Sequence, residues 1–347
     1  MKTSSVLYKK NLRSCSEINR LDSRQVLVVY DRKLMTYPFF RTWLKKFPNA
    51  YPVTAGEKLK TISQYEKLCR FGGRNLNSVD RKAFVVVAIG GGSIGDFAGF
   101  FASTFKRGLK LWHLPTTWLA AIDSAHGGKT ALNVDELKNQ VGSFYFAEKV
   151  FVIEEFFKGL PGRYFSEGLA EVIKIGMVSP KPFLVEKKYF EQPLKHFPTA
   201  LIKKSIRAKW NIVKKDPYEN KGVRFILNFG HTFGHAIEIQ ESISHGKAVA
   251  NGLEMAIELS HYFGHLSQDR YLFLTKYYSS YFAGQRLWGK RKFNSLFMQR
   301  HLLKDKKAST NQRIQFVFLN SWGKPVVKKV PVAELVEAAL AVAGEFN

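Results

Sequence analysis

The sequence predicts an α/β N-terminal domain followed by an all-α C-terminal domain. Three observations carry that prediction. Four short apolar runs rich in β-branched residues fall within the first 155 residues. Helical patterns separate them, and strands alternating with helices imply a parallel sheet. After residue 156 long helical stretches take over, which sets the domains at 1–155 and 156–347 with a boundary near 156–161.

Taken in order, "VLVVYD" (26–31) is short, apolar and ends in a turn residue, the form of a strand buried on both faces. "AFVVVAIGGG" (83–92) has the same form and runs into a helical pattern over 95–108. "LKLWHLPTT" (109–117) and "KVFVIEE" (149–155) complete the set. In the helical half, "RIQFVFLN" (313–320) is a late strand signal. The chain shows no internal repeat and no low-complexity tract.

With 347 residues, 45% hydrophobic and 14% aromatic, the chain has the material for two packed domains and is not of disordered composition. No apolar run approaches the ~20 residues of a membrane span. The start, "MKTSSVLYKKNLRSCSEINR", lacks the apolar core of a secretory signal. Cys15 and Cys69 make neither a disulfide framework nor a thiolate metal site, so a reduced, cytoplasmic protein is expected. The net charge is +26, and residues 271–330 hold thirteen Lys/Arg against one acid, Asp305. These basic residues do not cluster into a nucleic-acid module, so solvated lysines are favoured over nucleic-acid binding. Such a field also steers an anionic substrate.

Four constellations carry chemistry. "AIGGGSIGDFAG" (88–99) reads as strand, glycines and helix start, where backbone N–H groups receive a phosphate. Asp96 beside it suits a hydroxyl or carboxamide. "AIDSAHGGKTALNVDELKNQVGSF" (121–144) reads as a loop after a buried strand and sets Asp123, Lys129, Lys138 and Asn139 among donors for oxyanions. In "GLAEVIKIG" (168–176) Glu171 and Lys174 share a face of an apolar helix. The fourth is "GVRFILNFGHTFGHAIE" (222–238) with "SHGKAVANG" (244–252). As one helix, the former puts Arg224, Asn228, His231 and His235 on one face and Ile226, Phe229, Phe233 and Ile237 on its neighbour. Gly230 and Gly234 weaken such a helix unless something approaches the backbone closely. Any two of His231, His235 and His245, with Glu171, make a His₂Glu set of the kind that holds a catalytic Zn²⁺. Thr232 and Phe233 stand where a metalloprotease would carry its base, so that class is excluded.

Together these motifs resemble the 3-dehydroquinate synthase family. The resemblance runs through "GGGSIGDFAGF", "PTTWLAAIDSAHGGKTALN", "KNQVGSFY", "EGLAEVIKIG", "RFILNFGHTFGHAIE", "HGKAVANG" and "KDKK". It implies a nucleotide-binding α/β domain, a helical domain, an active site in the cleft, and a homodimer. It places the metal ligands at Glu171, His231 and His245, with Zn²⁺ as the ion and Co²⁺ suited to the same ligands. Substrate and catalytic roles fall on Asp123, Lys129, Asn139, Lys174, Lys209, Arg224, Asn228, His235 and Lys306. Arg107 matches an arginine that reaches the partner subunit's phosphate site. NAD contacts fall on Asp31, Glu57, Lys60, Gly91, Gly92, Asp96, Thr116, Thr117 and Lys138.

The implied reaction converts 3-deoxy-D-arabino-heptulosonate 7-phosphate to 3-dehydroquinate and phosphate, a lyase step of aromatic amino acid biosynthesis through the shikimate pathway, with NAD recycled. Another sugar-phosphate cyclase and a metal-dependent polyol dehydrogenase are the alternative enzyme readings. This chain departs from the family at three places: Lys247 stands for a Glu, Gly159 for a Thr that touches NAD, and Lys33 for an Asn. A carboxylate at 247 would serve as an acceptor beside His245, and Lys has only donors. Modestly weaker metal binding is therefore expected.

Overall fold

The computed structural model describes residues 4–75, 80–135, 137–186, 197–282, 284, 288, 294–304 and 312–344. It forms two compact units, Met1–Phe165 and Ser166–Asn347, divided within the helix Gly162–Val178.

The first unit contains β1 (Ser5–Lys9), α1 (Ser16–Asn19), β2 (Val26–Asp31), α2 (Pro38–Leu44), β3 (Ala50–Val53) and α3 (Ile62–Asn75). It continues with β4 (Val85–Gly90), α4 (Gly92–Thr104), β5 (Lys110–Pro115), α5 (Trp118–Ile122), β6 (Lys129–Val134), β7 (Leu137–Phe144), β8 (Lys149–Ile153) and α6 (Glu154–Phe157). Six strands form one parallel sheet in the order β1-β8-β5-β4-β2-β3. Both faces are covered, and alternate residues of one strand serve different cores. On β4, Val86 and Ala88 pack with Phe97 and Phe101, while Val85, Val87 and Ile89 join the core of Phe40, Trp43 and Phe156. This two-sided burial is why the central strands read as continuous apolar runs.

The edge strands are less apolar. β3 contains Pro52, which cannot donate to a ladder and is tolerated at an edge. The stretch predicted as a loop instead contains two strands, β6 and β7, paired antiparallel. Its second strand, β7, is exposed along most of its length, so polar residues such as Lys138, Asn139 and Gln140 conceal it from a search for apolar runs.

The strand order also marks a ligand position. From β2 the chain moves outward to β3, and from β4 it moves the opposite way to β5. The order therefore reverses between β2 and β4, and ligands of such sheets bind beyond the strand ends at that point. Tyr30 and Ile89 are paired across it, so Asp31 and the Gly90–Gly91–Gly92 turn follow side by side.

The second unit is helical: α7 (Gly162–Val178), α8 (Thr199–Val213), α9 (His231–Gln240), α10 (His245–Tyr262), α11 (Gln268–Phe282), α12 (Ser295–Lys304) and α13 (Val332–Gly344). Before α13 lies an antiparallel hairpin, β9 (Arg313–Ser321) with β10 (Lys324–Pro331). The strand signal at 313–320 thus acquires a partner whose two prolines and three lysines hide it in the sequence. α10 is buried almost throughout, the pattern of a central helix.

Residues 222–238 are not one helix. Val223–Asn228 is a 3₁₀ turn, and α9 begins at His231 after Gly230 adopts φ 78°. The physical reason is the approach of α10. A Cβ on Gly230 would lie 2.8 Å from Leu253 N, and one on Gly234 would lie 3.1 Å from Ala248 O. The two glycines admit a neighbouring helix, and Gly230 also supplies the left-handed residue that breaks the run.

Candidate active site

In the first unit, Gly91 caps α4 and Gly92 is its first residue. With Asp96, His113, Ser124 and Lys129 they line a pocket beyond the sheet. The glycines leave backbone room there: a Cβ on Gly92 would lie 3.2 Å from Ser124 Oγ. Such a cradle at the start of a full-length helix fits the pyrophosphate of NAD. Thr116 is buried, and its N–H donates to Gly90 O at 3.0 Å, tying the ends of β4 and β5. Thr117 Oγ1 caps α5 by accepting from Ala120 N at 3.3 Å. Asp31 Oδ1 accepts from Lys33 N, so Lys33 shapes the turn through its backbone.

A polar network surrounds the buried Lys60. Its Nζ donates to Asp96 Oδ2 at 2.8 Å and to Asn139 Oδ1 at 2.5 Å, with Glu57 Oε2 at 3.7 Å. Asn133, absent from the sequence-based set, joins it by donating to Glu57 Oε2 at 2.9 Å and accepting from Asn139 N at 2.9 Å. Asn139 has φ 56°, a left-handed conformation that asparagine tolerates. Burial pushes the Asp96 carboxyl upward, and Lys60 opposes that. Three sequence-predicted residues, Glu57, Asp96 and Asn139, thus converge on a fourth, the cation Lys60. Lys138 is exposed on β7, and Asp123 lies between α5 and the short turn that follows it. Arg107 is exposed in a turn where Lys106, Arg107 and Gly108 all have positive φ.

His113, on β5, was not singled out in the sequence. Burial lowers its imidazole from 6.5 to about 4. The folded protein therefore keeps it neutral where the unfolded chain is protonated. Its contribution is present above 6.5 and lost as pH falls from 6.5 through 4. Between pH 7 and pH 5 this costs about 2 kcal/mol of folding stability. Urea unfolding of the wild type and His113→Gln at both pH values checks it; equal losses in the two proteins would refute the assignment.

In the second unit, Glu171 and Lys174 on α7 are both buried and in direct ionic contact. His231 Nε2 and His245 Nε2 lie 3.4 and 3.7 Å from Glu171 Oε1. One ligand atom from each of Glu171, His231 and His245 falls within 4.8 Å of the others. Lys174 aside, neither Glu171 oxygen has a hydrogen-bonding partner among the described residues. A buried carboxylate so placed, with two imidazole nitrogens, fits Zn²⁺ or Co²⁺. Burial raises the Glu171 carboxyl, but Lys174 and His231 together hold it well below the usual range. Burial lowers His231 to about 4. It also opposes protonation of His245, but Glu171 and Glu238 prevail and raise that ring to about 10. His235 packs its ring centroid 5.3 Å from that of His231.

Arg224 is buried and held by its own turn. Its Nη1 donates to Pro217 O at 2.9 Å and its Nε lies 3.4 Å from Glu219 Oε1. Asp216 accepts from the N–H groups of Lys221 and Arg224, fixing the turn from below. Lys209 is buried on α8, which packs against the Val223–Asn228 segment that carries Asn228. Lys306 lies outside the described residues. Gly159 has φ 80°, where a threonine would be strained.

A glycine turn at the reversal point of a parallel sheet, and a carboxylate flanked by two imidazoles in a helical unit, define a nucleotide- and metal-dependent class of enzyme. The family models "3-dehydroquinate synthase N-terminal" and "3-dehydroquinate synthase C-terminal" match residues 50–167 and 168–308. The chain belongs to the 3-dehydroquinate synthase family. A 3-dehydroquinate synthase of Pseudomonas entomophila is 37% identical over 333 residues, covering 92% of this chain and 88% of that one. One of Francisella tularensis is 42% identical over 200 residues, and the match spans 56% of each chain, about half the length of that relative. A 2-deoxy-scyllo-inosose synthase solved with carbaglucose-6-phosphate, NAD⁺ and Co²⁺ shares the fold, with a TM-score of 0.84 and 24% identity over 97% of this chain and 96% of that one.

Proposed function

We propose that the chain is a 3-dehydroquinate synthase, converting 3-deoxy-D-arabino-heptulosonate 7-phosphate to 3-dehydroquinate and phosphate. The observation that carries this reading is the buried Glu171 with His231 and His245 grouped about it, Lys174 against it and His235 alongside. When bound, NAD⁺ supplies a reversible hydride acceptor and Zn²⁺ a Lewis acid for substrate oxygen. The protein's own groups do the rest. Lys129, Lys174, Lys209 and Arg224 bind the carboxylate and phosphate, the arginine with a planar fork suited to two oxygens. Asp123, Asn139 and Asn228 orient hydroxyl groups, and the His235 imidazole exchanges a proton. Asp31, Gly91, Gly92, Thr116, Thr117 and Lys138 hold the dinucleotide, and Lys60 fixes the Glu57 and Asp96 carboxylates beside it. Lys306 completes the anion-binding set.

A homodimer, with Arg107 offered to the partner's site, and a cytoplasmic location belong to the same reading. The two free cysteines suit a reducing compartment. Among the described residues no helix is long and apolar enough to cross a membrane.

The test is phosphate release from the heptulosonate phosphate with catalytic NAD⁺. Phosphate is expected to exceed the NAD⁺ supplied many times over with no NADH accumulating, and a chelator should abolish the release. One NADH per turnover would instead assign the chain to the dehydrogenases.

A further inference from the structure

We infer that Glu238 is a positioning residue for the metal, orienting His245 through a hydrogen bond from the imidazole Nδ1 to Glu238 Oε2 at 3.0 Å. The inference rests on the reading of Glu171, His231 and His245 as the metal group.

The two imidazoles face the same Glu171 oxygen but are anchored differently. His231 is 12% exposed, and its Nδ1 lies 3.3 Å from Phe229 O. Its ring is therefore fixed by packing and by the main chain. His245 is the first residue of α10 and is 34% exposed. His231 also opens its helix, α9, so what sets His245 apart is its greater exposure: with less packing around it, its ring needs an outside anchor. Glu238 supplies one. It lies seven residues after His231 on α9 and therefore on the same face of that helix. One helix thus contributes one ligand directly and the anchor of a second.

The tautomer follows from the anchor. An Nδ1–H donated to a carboxylate makes Nε2 the nitrogen that a metal would take, and the acceptor raises its basicity. The same contact settles the departure at position 247. Lys247 is exposed on α10. The acceptor that His245 requires comes from α9, two positions before the helix ends at Gln240. The ground for expecting weaker metal binding is thereby removed.

The experiment titrates Zn²⁺ into the full chain against a chromophoric chelator, for the wild type, Glu238→Ala, Glu238→Gln and Lys247→Glu. Glu238→Ala is expected to weaken Zn²⁺ binding by about 10- to 100-fold. Glu238→Gln keeps an acceptor oxygen without the charge and should lose only about fivefold. Lys247→Glu should change affinity by no more than about twofold. The visible spectrum of the Co²⁺-loaded protein should shift in Glu238→Ala and return towards wild type in Glu238→Gln, which a merely structural role would not produce. Should the alanine variant fail to fold, the fivefold loss in Glu238→Gln with an unchanged apo melting temperature decides. Wild-type affinity in both Glu238 variants would overturn the role of Glu238. A wild type that takes up no Zn²⁺ would overturn the metal reading beneath it.

Discussion

Glu171→Gln is expected to yield protein without bound zinc and without measurable phosphate release. The glutamine matches the volume but replaces the anionic member of the proposed three-ligand set with a neutral amide, and such a set has no reserve. The stability effect has a second source. Lys174 is in direct ionic contact with Glu171, and both are buried. Removing one charge of a buried pair leaves the other uncompensated, at a cost of about 3–5 kcal/mol. The double variant Glu171→Gln/Lys174→Met should recover most of that stability and none of the metal. Elemental analysis together with thermal unfolding separates the two effects. A full complement of zinc in Glu171→Gln would show that the carboxylate is not a ligand.

Gly252→Ala should be the most destabilising single-methyl change in the helical unit. A Cβ at Gly252 would lie 2.7 Å from Gly234 N and 2.9 Å from Gly234 Cα, and closer still to Gly230 O. These are backbone atoms of another segment, so no side chain can rotate to relieve the contact. α10 would have to leave α9, and His245 would leave His231 with it. A loss above about 4 kcal/mol is expected, lowering the melting temperature by roughly 10 °C, with zinc binding falling in parallel. Gly73→Ala on α3 is the contrast, since a Cβ there meets nothing within 4 Å. It should stabilise by about 0.5–1 kcal/mol through helix propensity and a less flexible unfolded chain. A Gly252→Ala protein melting within a few degrees of wild type would refute the close-packing account.

These two cases show what the sequence reveals and what it conceals. β2, β4, β5 and β8 are legible because each lies inside a sheet covered on both faces, which forces unbroken apolar runs. β3 and β7 are hidden because an edge or an exposed strand places no such demand on its residues. Glu171, His231 and His245 stand out by type, since an acid and imidazoles are rare amid apolar helices. Glu238 does not, because a glutamate near a helix end looks like ordinary solvated surface until the fold brings His245 against it. Asp216 and Asn133 are hidden for the same reason: their work is hydrogen bonding to backbone N–H groups and, for Asn133, to the Glu57 carboxylate, which leaves no spacing to read. The break at Gly230 is concealed by a periodicity that persists across it. The polar and apolar stripes continue at helical spacing, and only contact with α10 decides against a single helix.

The pairing of β1 with β8 has a consequence for the order of events at the ribosome. Ser5 is registered with Lys149, so β1 precedes the other strands of this sheet in the chain and is the last of them to find its place. β8 must first join β5, through Trp112 and His113, before β1 has an edge to add to. Sequence separation on that scale makes closure slow, and the waiting segment spends synthesis unpaired. The nucleotide half can nonetheless be complete soon after residue 153 clears the exit tunnel, before Glu171 has appeared. Metal therefore cannot template the sheet. A nascent chain stalled with residues 1–165 exposed should already resist protease, whatever the zinc concentration around it.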